Sequence, residues 1–565
     1  MRKRRACLAV IFCAACGAAQ RPATDPESTF DIVIANGRII DGTGKPAFAA
    51  DVGIRAGYVA KVGALAGAAR TRTIDATGLV VTPGFIDMLG QSDLSILVDP
   101  RLPSKIHQGI TTEVTGEGMS VAPQNDAVIA SDMPYYEHLG LGAPKWRTLG
   151  EYFAQLEKNG IGINVASYVG ATQVRRVVLG DGDKQPTPAE LETMKRHVVQ
   201  GMRDGAVGVS SSLMYPPAPY AKTEELIALA NEASKLGGIY ATHMRSESSA
   251  VLEALDETFR VGKEASVAIE IFHLKVAGTK NWGRMPEVVA RIERARKDGI
   301  DVGADTYAYP AWQNAASAFV PPWAHDGGDD KLVERLRDLA TRARIRTDML
   351  TPTTAWDNEW QSIPGPEAVL VSVVLAPELL PLQGKRLPEI AAMWKEEPID
   401  ALLDLLIKDR GHTTVAVFGM DEKDVALALR QPWMSIDCDA AGASPEGVLG
   451  REHPHPRAYG TFPRILRKYV REEHAFTLEE AIAKFTGRAA ARVRFHDHGI
   501  LKPGWYADVA IFDPSTITDR ATFEQPNQLS EGMRWVLVNG VPVIDDGKMT
   551  GALPGKVIRG SGYPR

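Results

Sequence analysis

Four stretches in the middle of the chain repeat one pattern of apolar and polar positions. "LETMKRHVVQGMRDGAVGVSSSL" carries apolar residues at helical spacing, breaks at glycine and ends in a short apolar run. "EELIALANEASKLGGIYATHM", "AVLEALDETFRVGKEASVAIEIFHLK" and "MPEVVARIERARKDGIDVGADTYAY" repeat it. Successive helix–turn–strand units predict a parallel sheet wound with helices. A doubly wound open sheet is one solution. The number of such units across residues 83–490 predicts instead a (β/α)8 barrel of the TIM type carrying an insertion. Residues 312–398, rich in Trp and Pro and weak in period, are the expected insertion. The two ends read differently. "DIVIANGRIIDGTG" and a hairpin about Gly57 open the chain, and "ADVAIFDPSTI" and "MRWVLVNGVPVIDDGKM" close it. These short strands predict one small β-sandwich domain built from residues 31–82 and 491–565.

Composition changes this picture only at the edges. The chain has 565 residues, 44% of them hydrophobic, ample for a large core. A formal charge of −6, with no basic tract beyond the first residues, gives no reason to expect a nucleic-acid partner. "MRKRR" followed by "ACLAVIFCAACGAA" reads as an export signal over residues 1–19, too short to span a bilayer. It has two readings: cleavage near Ala19, or a lipobox-like "CAAC" with Cys16 lipidated and Cys13 where leucine is usual. A linker, residues 20–30, follows. The protein is therefore expected to be exported, periplasmic or anchored as a lipoprotein, with Cys16 its only membrane attachment. Three of its four cysteines, Cys7, Cys13 and Cys16, lie in that segment, leaving Cys438. Neither a disulfide framework nor a cysteine-rich zinc site can form, so any metal must be held by His, Asp and Glu.

In a barrel of this kind catalytic groups sit at the C-terminal ends of the strands. The expected strand ends carry His243, His273 with Lys275, Asp305, and then Asp437 and Asp439. A single strand-end histidine is usually a hydrogen-bonded core residue. Two that close consecutive apolar strands face one mouth. Lys275, two residues beyond His273, shares its face, whereas Asp437 is set aside as facing away from the mouth. A catalytic zinc site takes three protein ligands and keeps one position open. The candidate third ligand is Glu117 in "GITTEVTGEGMSVAP", with Glu113 earlier in the same strand; a solvated glutamate on a glycine-rich turn is the bland alternative.

The segments "VTPGFID", "GVSSSLMYPPAPYA", "YATHMRSES", "IFHLKVAGTKNWGR" and "PHPRAYGTFPRILRKYV", with the tail "TGRAAARVRFHDHGILKPGWYADVAIFDP" that contains Gly504 and Asp508, resemble the N-acyl-D-amino-acid deacylases of the amidohydrolase superfamily. The resemblance runs along most of the mature length. It implies a metal-bearing barrel with a companion β-domain. In that family a tight zinc site uses a Cys and two His, and a weaker one uses a His-x-His pair and an Asp. The two histidines correspond to His243 and His273, the aspartate to Asp439, and the cysteine position, in a loop one residue shorter, to Glu117. The His-x-His positions hold Leu89 and Gln91. The resemblance thus implies one zinc per chain on Glu117, His243 and His273, with Asp439 as general base and then general acid. Tyr215, Lys275 and Arg457 correspond to residues that hold the substrate carboxylate, and His455 is either site lining or a structural turn. The implied activity is hydrolysis of N-acyl-D-amino acids to a carboxylate and a free D-amino acid, the partner being a small molecule with a free carboxylate. A dipeptidase or cyclic-amide hydrolase on the same scaffold is the alternative, and a catalytically inactive binding relative is another. Acyl and side-chain preference and oligomeric state are not legible in the sequence.

Overall fold

Eight parallel strands make the centre of the molecule. In the computed structural model, which describes residues 29–564, they are Phe85–Asp87, Ile110–Thr115, Asn164–Ser167, Gly208–Ser212, Ile239–His243, Ile269–Ile271, Val302–Thr306 and Met434–Ile436. The expected export signal, the Cys16 anchor and the linker up to residue 28 lie outside the described residues. Strands three and four are joined through Val169–Gly170, which continues strand three past Tyr168, and the Val207 N–H donates to Ser167 O at 2.9 Å. The ring closes where the Met88 N–H donates to Ile436 O at 3.2 Å and Gly90 pairs with Ala440. The result is a closed (β/α)8 barrel rather than an open sheet.

Helix Pro188–Asp204 illustrates how each unit forms. Thr187 accepts from the Glu190 N–H while the Glu190 carboxylate reaches back to the Thr187 N–H, and Pro188 supplies helical φ at the first position. Met194, Val198, Gly201 and Met202 form a buried stripe at helical spacing. Gly201 lets the helix press on Val169, into which a Cβ would run. Gly205, in left-handed backbone at φ 116°, ends the helix and sends the chain into strand four.

The two chain ends meet in one nine-stranded sheet, where Val509–Phe512 pairs antiparallel with Val80–Pro83. The sheet branches at Phe30–Ile39, and Val52, Ile74, Val81, Val509 and Leu537 from its arms close on a common apolar core. Asp508, of the tail motif, fastens this domain to the barrel: it accepts from the Asn539 N–H at 2.7 Å and from Asn164 Nδ2, on strand three, at 3.0 Å.

Between strands seven and eight the chain leaves the barrel to form a three-stranded antiparallel sheet with flanking helices. Its central strand is Thr414–Val417, paired on one side with Trp312–Ala315 and on the other with Val369–Val373. The inserted segment therefore runs past the expected end at residue 398, because its sheet is completed only by the later strand.

The barrel interior just below the mouth is charged. Buried Lys105 places Nζ 2.6 Å from Asp87 Oδ2, 3.4 Å from Glu113 Oε2 and 2.8 Å from Ala440 O. Burial pushes Glu113 up to about 7 against the pull of Lys105, and Ser92 donates to it at 2.7 Å. Glu113 is thus part of the scaffold and is not directed at the mouth. Replacing Lys105 by Met leaves two buried carboxylates without their cation. Denaturant unfolding should then show a loss of about 3–5 kcal/mol.

Candidate metal centre and active site

The barrel mouth opens into a cavity of about 680 Å³ lined by Gln91, Glu117, Tyr215, His243, His273, Lys275, Asp439 and Arg457, with further residues from the inserted segment. The seven residues expected to hold metal, move protons or bind substrate, namely Glu117, Tyr215, His243, His273, Lys275, Asp439 and Arg457, therefore line one space, while Glu113, Asp305, Asp437 and His455 do not.

Glu117 follows strand two on a loop whose flanking glycines, Gly116 (φ 92°) and Gly118 (φ 57°), adopt left-handed backbone. A Cβ on Gly118 would meet Ser212 at 2.5–2.7 Å, so glycine there lets the loop close on strand four. Ser212 donates to Glu117 Oε1 at 3.1 Å. His243 ends strand five. His273 lies just past strand six in left-handed backbone (φ 35°), and its N–H donates to Asp305 Oδ1 at 2.6 Å. Asp305 therefore holds the backbone that aims His273. Asp439, beyond strand eight, is likewise left-handed (φ 44°), and such strained positions concentrate at functional sites.

Glu117 Oε1 stands 3.2 Å from His243 Nδ1 and 3.4 Å from His273 Nε2. Tetrahedral ligands bonded at about 2.0–2.2 Å lie about 3.4 Å apart, so this spacing suits one small cation among the three. Neither ring nitrogen of His243 has a hydrogen-bond partner, although both are buried. Burial alone would raise the Glu117 pKa, but the two imidazoles outweigh it and hold the carboxyl well below its usual range. A carboxylate and two imidazoles form a donor set that fits zinc and other borderline divalent metals.

Behind His273, Glu247 Oε1 lies 3.0 Å from its Nδ1, and Lys275 Nζ lies 2.7 Å from the same atom. Glu247 and Lys275 thus fix the Nδ1 side of the ring and leave Nε2 directed at Glu117 Oε1, an outer shell that orients a ligating histidine. Lys275 donates to both oxygens of Glu247, at 2.8 and 2.9 Å. Burial opposes charge on Glu247, yet His243, Lys275 and His273 lower its pKa. Sequence reading passed over Glu247; its spacing of four residues from His243 was the available signal.

Across the cavity, Arg457 Nη1 lies 2.6 Å from Asp439 Oδ2, and the guanidinium covers the Tyr307 ring at 4.5 Å. The Arg457 Nε–H is buried without a partner. Burial raises the Asp439 pKa against the pull of Arg457 and His273. The Tyr215 ring meets His243 edge-on, with centroids 4.9 Å apart. His455 is a turn residue: its Nδ1 accepts from the Arg457 N–H at 3.0 Å and its Nε2 faces Ala311 O at 3.1 Å.

Asp437 does not face away from the barrel axis as expected. Two residues along a strand return to the same face, and Asp437 is fully buried one layer below Asp439, near Asp305 and Asp87. Burial first, and Asp439 second, push it up to about 7. Its depth, rather than its direction, keeps it from the cavity. The inserted segment adds Glu359, whose Oε1 accepts from Asn314 Nδ2; burial pushes this carboxyl up to about 8.

Comparison with known proteins gives these residues a family. Residues 72–544 match the family described as "Amidohydrolase family". The D-aminoacylase of Alcaligenes xylosoxydans xylosoxydans is 35% identical over 530 residues, 94% of this chain and 97% of that one. The crystal structure of N-acyl-D-glutamate deacylase from Bordetella bronchiseptica, complexed with zinc and a phosphonate that mimics the tetrahedral intermediate, has a TM-score of 0.79 at 32% identity, covering 94% of this chain and 100% of that chain. A D-aminoacylase structure described by a binuclear metal centre, with one-metal activation and second-metal attenuation, has a TM-score of 0.78 at 33% identity, covering 94% and 100%. The chain belongs to the amidohydrolase family, within its N-acyl-D-amino-acid deacylase group.

Proposed function

We infer that this protein hydrolyses the amide bond of N-acyl-D-amino acids, using one zinc ion held by Glu117, His243 and His273. The observation that carries the reading is the spacing of those three donors, with both His243 nitrogens buried and neither in hydrogen-bond geometry with the carboxylates beside them. Zinc, when bound, supplies Lewis acidity toward water and the scissile carbonyl.

The chain's own groups do the rest. Asp439 stands at the mouth with no covalent duty and a pKa raised by burial, suited to take a proton from the attacking water. The same carboxyl then returns that proton to the amide nitrogen, which leaves as a free amine. Arg457 spends Nη1 on Asp439 and Nη2 on Gln313 O and keeps Nε–H for a substrate carboxylate. Lys275 and the Tyr215 hydroxyl extend that anchor along the cavity wall. Export and the Cys16 anchor belong to the same reading, and fractionation of cells expressing the full chain checks them.

Glu117→Ala removes the only anionic member of the donor set. Elemental analysis should show bound zinc falling from about one per chain to a small fraction, with loss of N-acetyl-D-amino-acid hydrolysis. Full zinc and full activity in this variant would overturn the assignment. A wild-type enzyme that cleaves N-acetyl-L-amino acids as well as their D-forms would overturn the substrate class.

A further inference from the structure

Gln91 follows barrel strand one and opens to the cavity between Glu117 and Asp439. Its Nε2 donates to Glu117 Oε2 at 3.0 Å and to Asp439 Oδ1 at 2.9 Å. Both partners are carboxylates and only accept, so the amide must present its two hydrogens to them; turned over, its oxygen would face two anionic oxygens. One side chain thus ties the third member of the donor set to the proton-transferring carboxyl, across residues 26 and 348 positions away in sequence. The remaining oxygens are left to their own tasks: Glu117 Oε1 faces the two histidines, and Asp439 Oδ2 faces Arg457.

Two carboxylate oxygens converging on one point are what a second cation would use. Here a neutral amide fills that point. Leu89, two residues earlier, offers no donor, since it is buried in an apolar cluster with Ile86, Val114 and Phe272. Two anionic oxygens and an amide already committed to them fall short of the donor set a second tight zinc needs.

We propose that Gln91 is a positioning residue that occupies the place of a second metal, holding Glu117 and Asp439 in register and limiting the centre to one zinc. This rests on the single-zinc deacylase reading, and it makes the enzyme insensitive to excess zinc. The D-aminoacylase structure described with second-metal attenuation supplies the contrast.

The test begins by establishing, on purified full-length wild-type protein, zinc binding and N-acetyl-D-amino-acid hydrolysis; failure there sinks the parent reading and not this one. Zinc is then titrated and bound metal measured by elemental analysis after desalting. Wild type should saturate at one zinc per chain, with kcat flat in excess zinc. Gln91→His sets an imidazole beside the two carboxylate oxygens and completes a three-donor set, so it should saturate at two zinc ions and lose activity as the second binds. Gln91→Met keeps the length and removes both hydrogen bonds. It should hold one zinc and melt like wild type, while kcat falls about ten-fold or more with KM within about two-fold. A wild-type enzyme that takes up a second zinc, or a Gln91→Met enzyme with unchanged kcat, would overturn the proposal.

Discussion

Asp439→Asn should lower kcat by about 10³- to 10⁴-fold and leave about one zinc per chain in place. The substitution preserves the shape of a side chain whose two oxygens are already engaged, by Gln91 at 2.9 Å and by Arg457 at 2.6 Å. An amide there can neither take a proton from water nor give one to the leaving nitrogen. An amide nitrogen leaves poorly unless protonated, so the loss should fall on turnover more than on KM. The three donors around His243 do not include Asp439, which is why metal content should survive. Elemental analysis beside steady-state kinetics checks both halves. A variant within about ten-fold of wild-type kcat would remove Asp439 from the reaction.

N-acyl-D-glutamate and N-acyl-D-aspartate should be poor substrates beside an N-acyl-D-amino acid with a neutral side chain, by about 100-fold in kcat/KM. The substrate's own α-carboxylate uses Arg457 and Lys275, each of which already faces a single protein carboxylate, Asp439 and Glu247. An acidic side chain would need one more cation. Among the described residues that line the cavity, the remaining arginine is Arg176, and it is closed by Asp132 at 2.9 Å and Asp181 at 2.9 Å. The inserted segment adds Asp357 and Glu359 to the wall, with the imidazoles of His325 and His412 but no lysine or arginine. A second carboxylate would therefore be desolvated with no free lysine or arginine to pair it. The Bordetella bronchiseptica relative, named for N-acyl-D-glutamate, marks the contrast. Comparable kcat/KM for the D-glutamate and D-leucine derivatives would show that a cation is recruited on binding.

Much of this site was legible because its residues close repeating units. His243 and His273 end apolar runs one unit apart, and the strand period puts Lys275 beside His273. Glu117 was legible only through the family's cysteine position, since a glycine-rich turn by itself suits a solvated glutamate equally well. What the sequence hid is contact made across the barrel. Gln91 marks a substituted His-x-His position, but its meaning comes from Glu117 and Asp439, just past strands two and eight. Glu247 was lost in a serine-rich turn, although it is the partner of both Lys275 and His273. Asp437 shares its strand face with Asp439, and only its depth in the barrel, which local sequence does not show, separates the two. The inserted sheet was under-measured because "TTVAVF" is too short to show a period, and its pairing partners lie far upstream.

That inserted sheet has a further consequence. Trp312 pairs directly with Val417, so the segment leaves and re-enters the barrel at neighbouring points, like a cartridge with both contacts on one side. The residues between carry Glu359 and Asp357 to the cavity wall, while Glu117, His243, His273 and Asp439 all lie outside it. One part of the cavity wall is thus encoded apart from the residues that hold the metal and move the proton. The seam is not neutral, since Asp357 accepts from the Glu247 N–H at 2.7 Å and Gln313 O from Arg457 at 3.3 Å, so a graft of residues 312–417 between two relatives has to keep those two contacts.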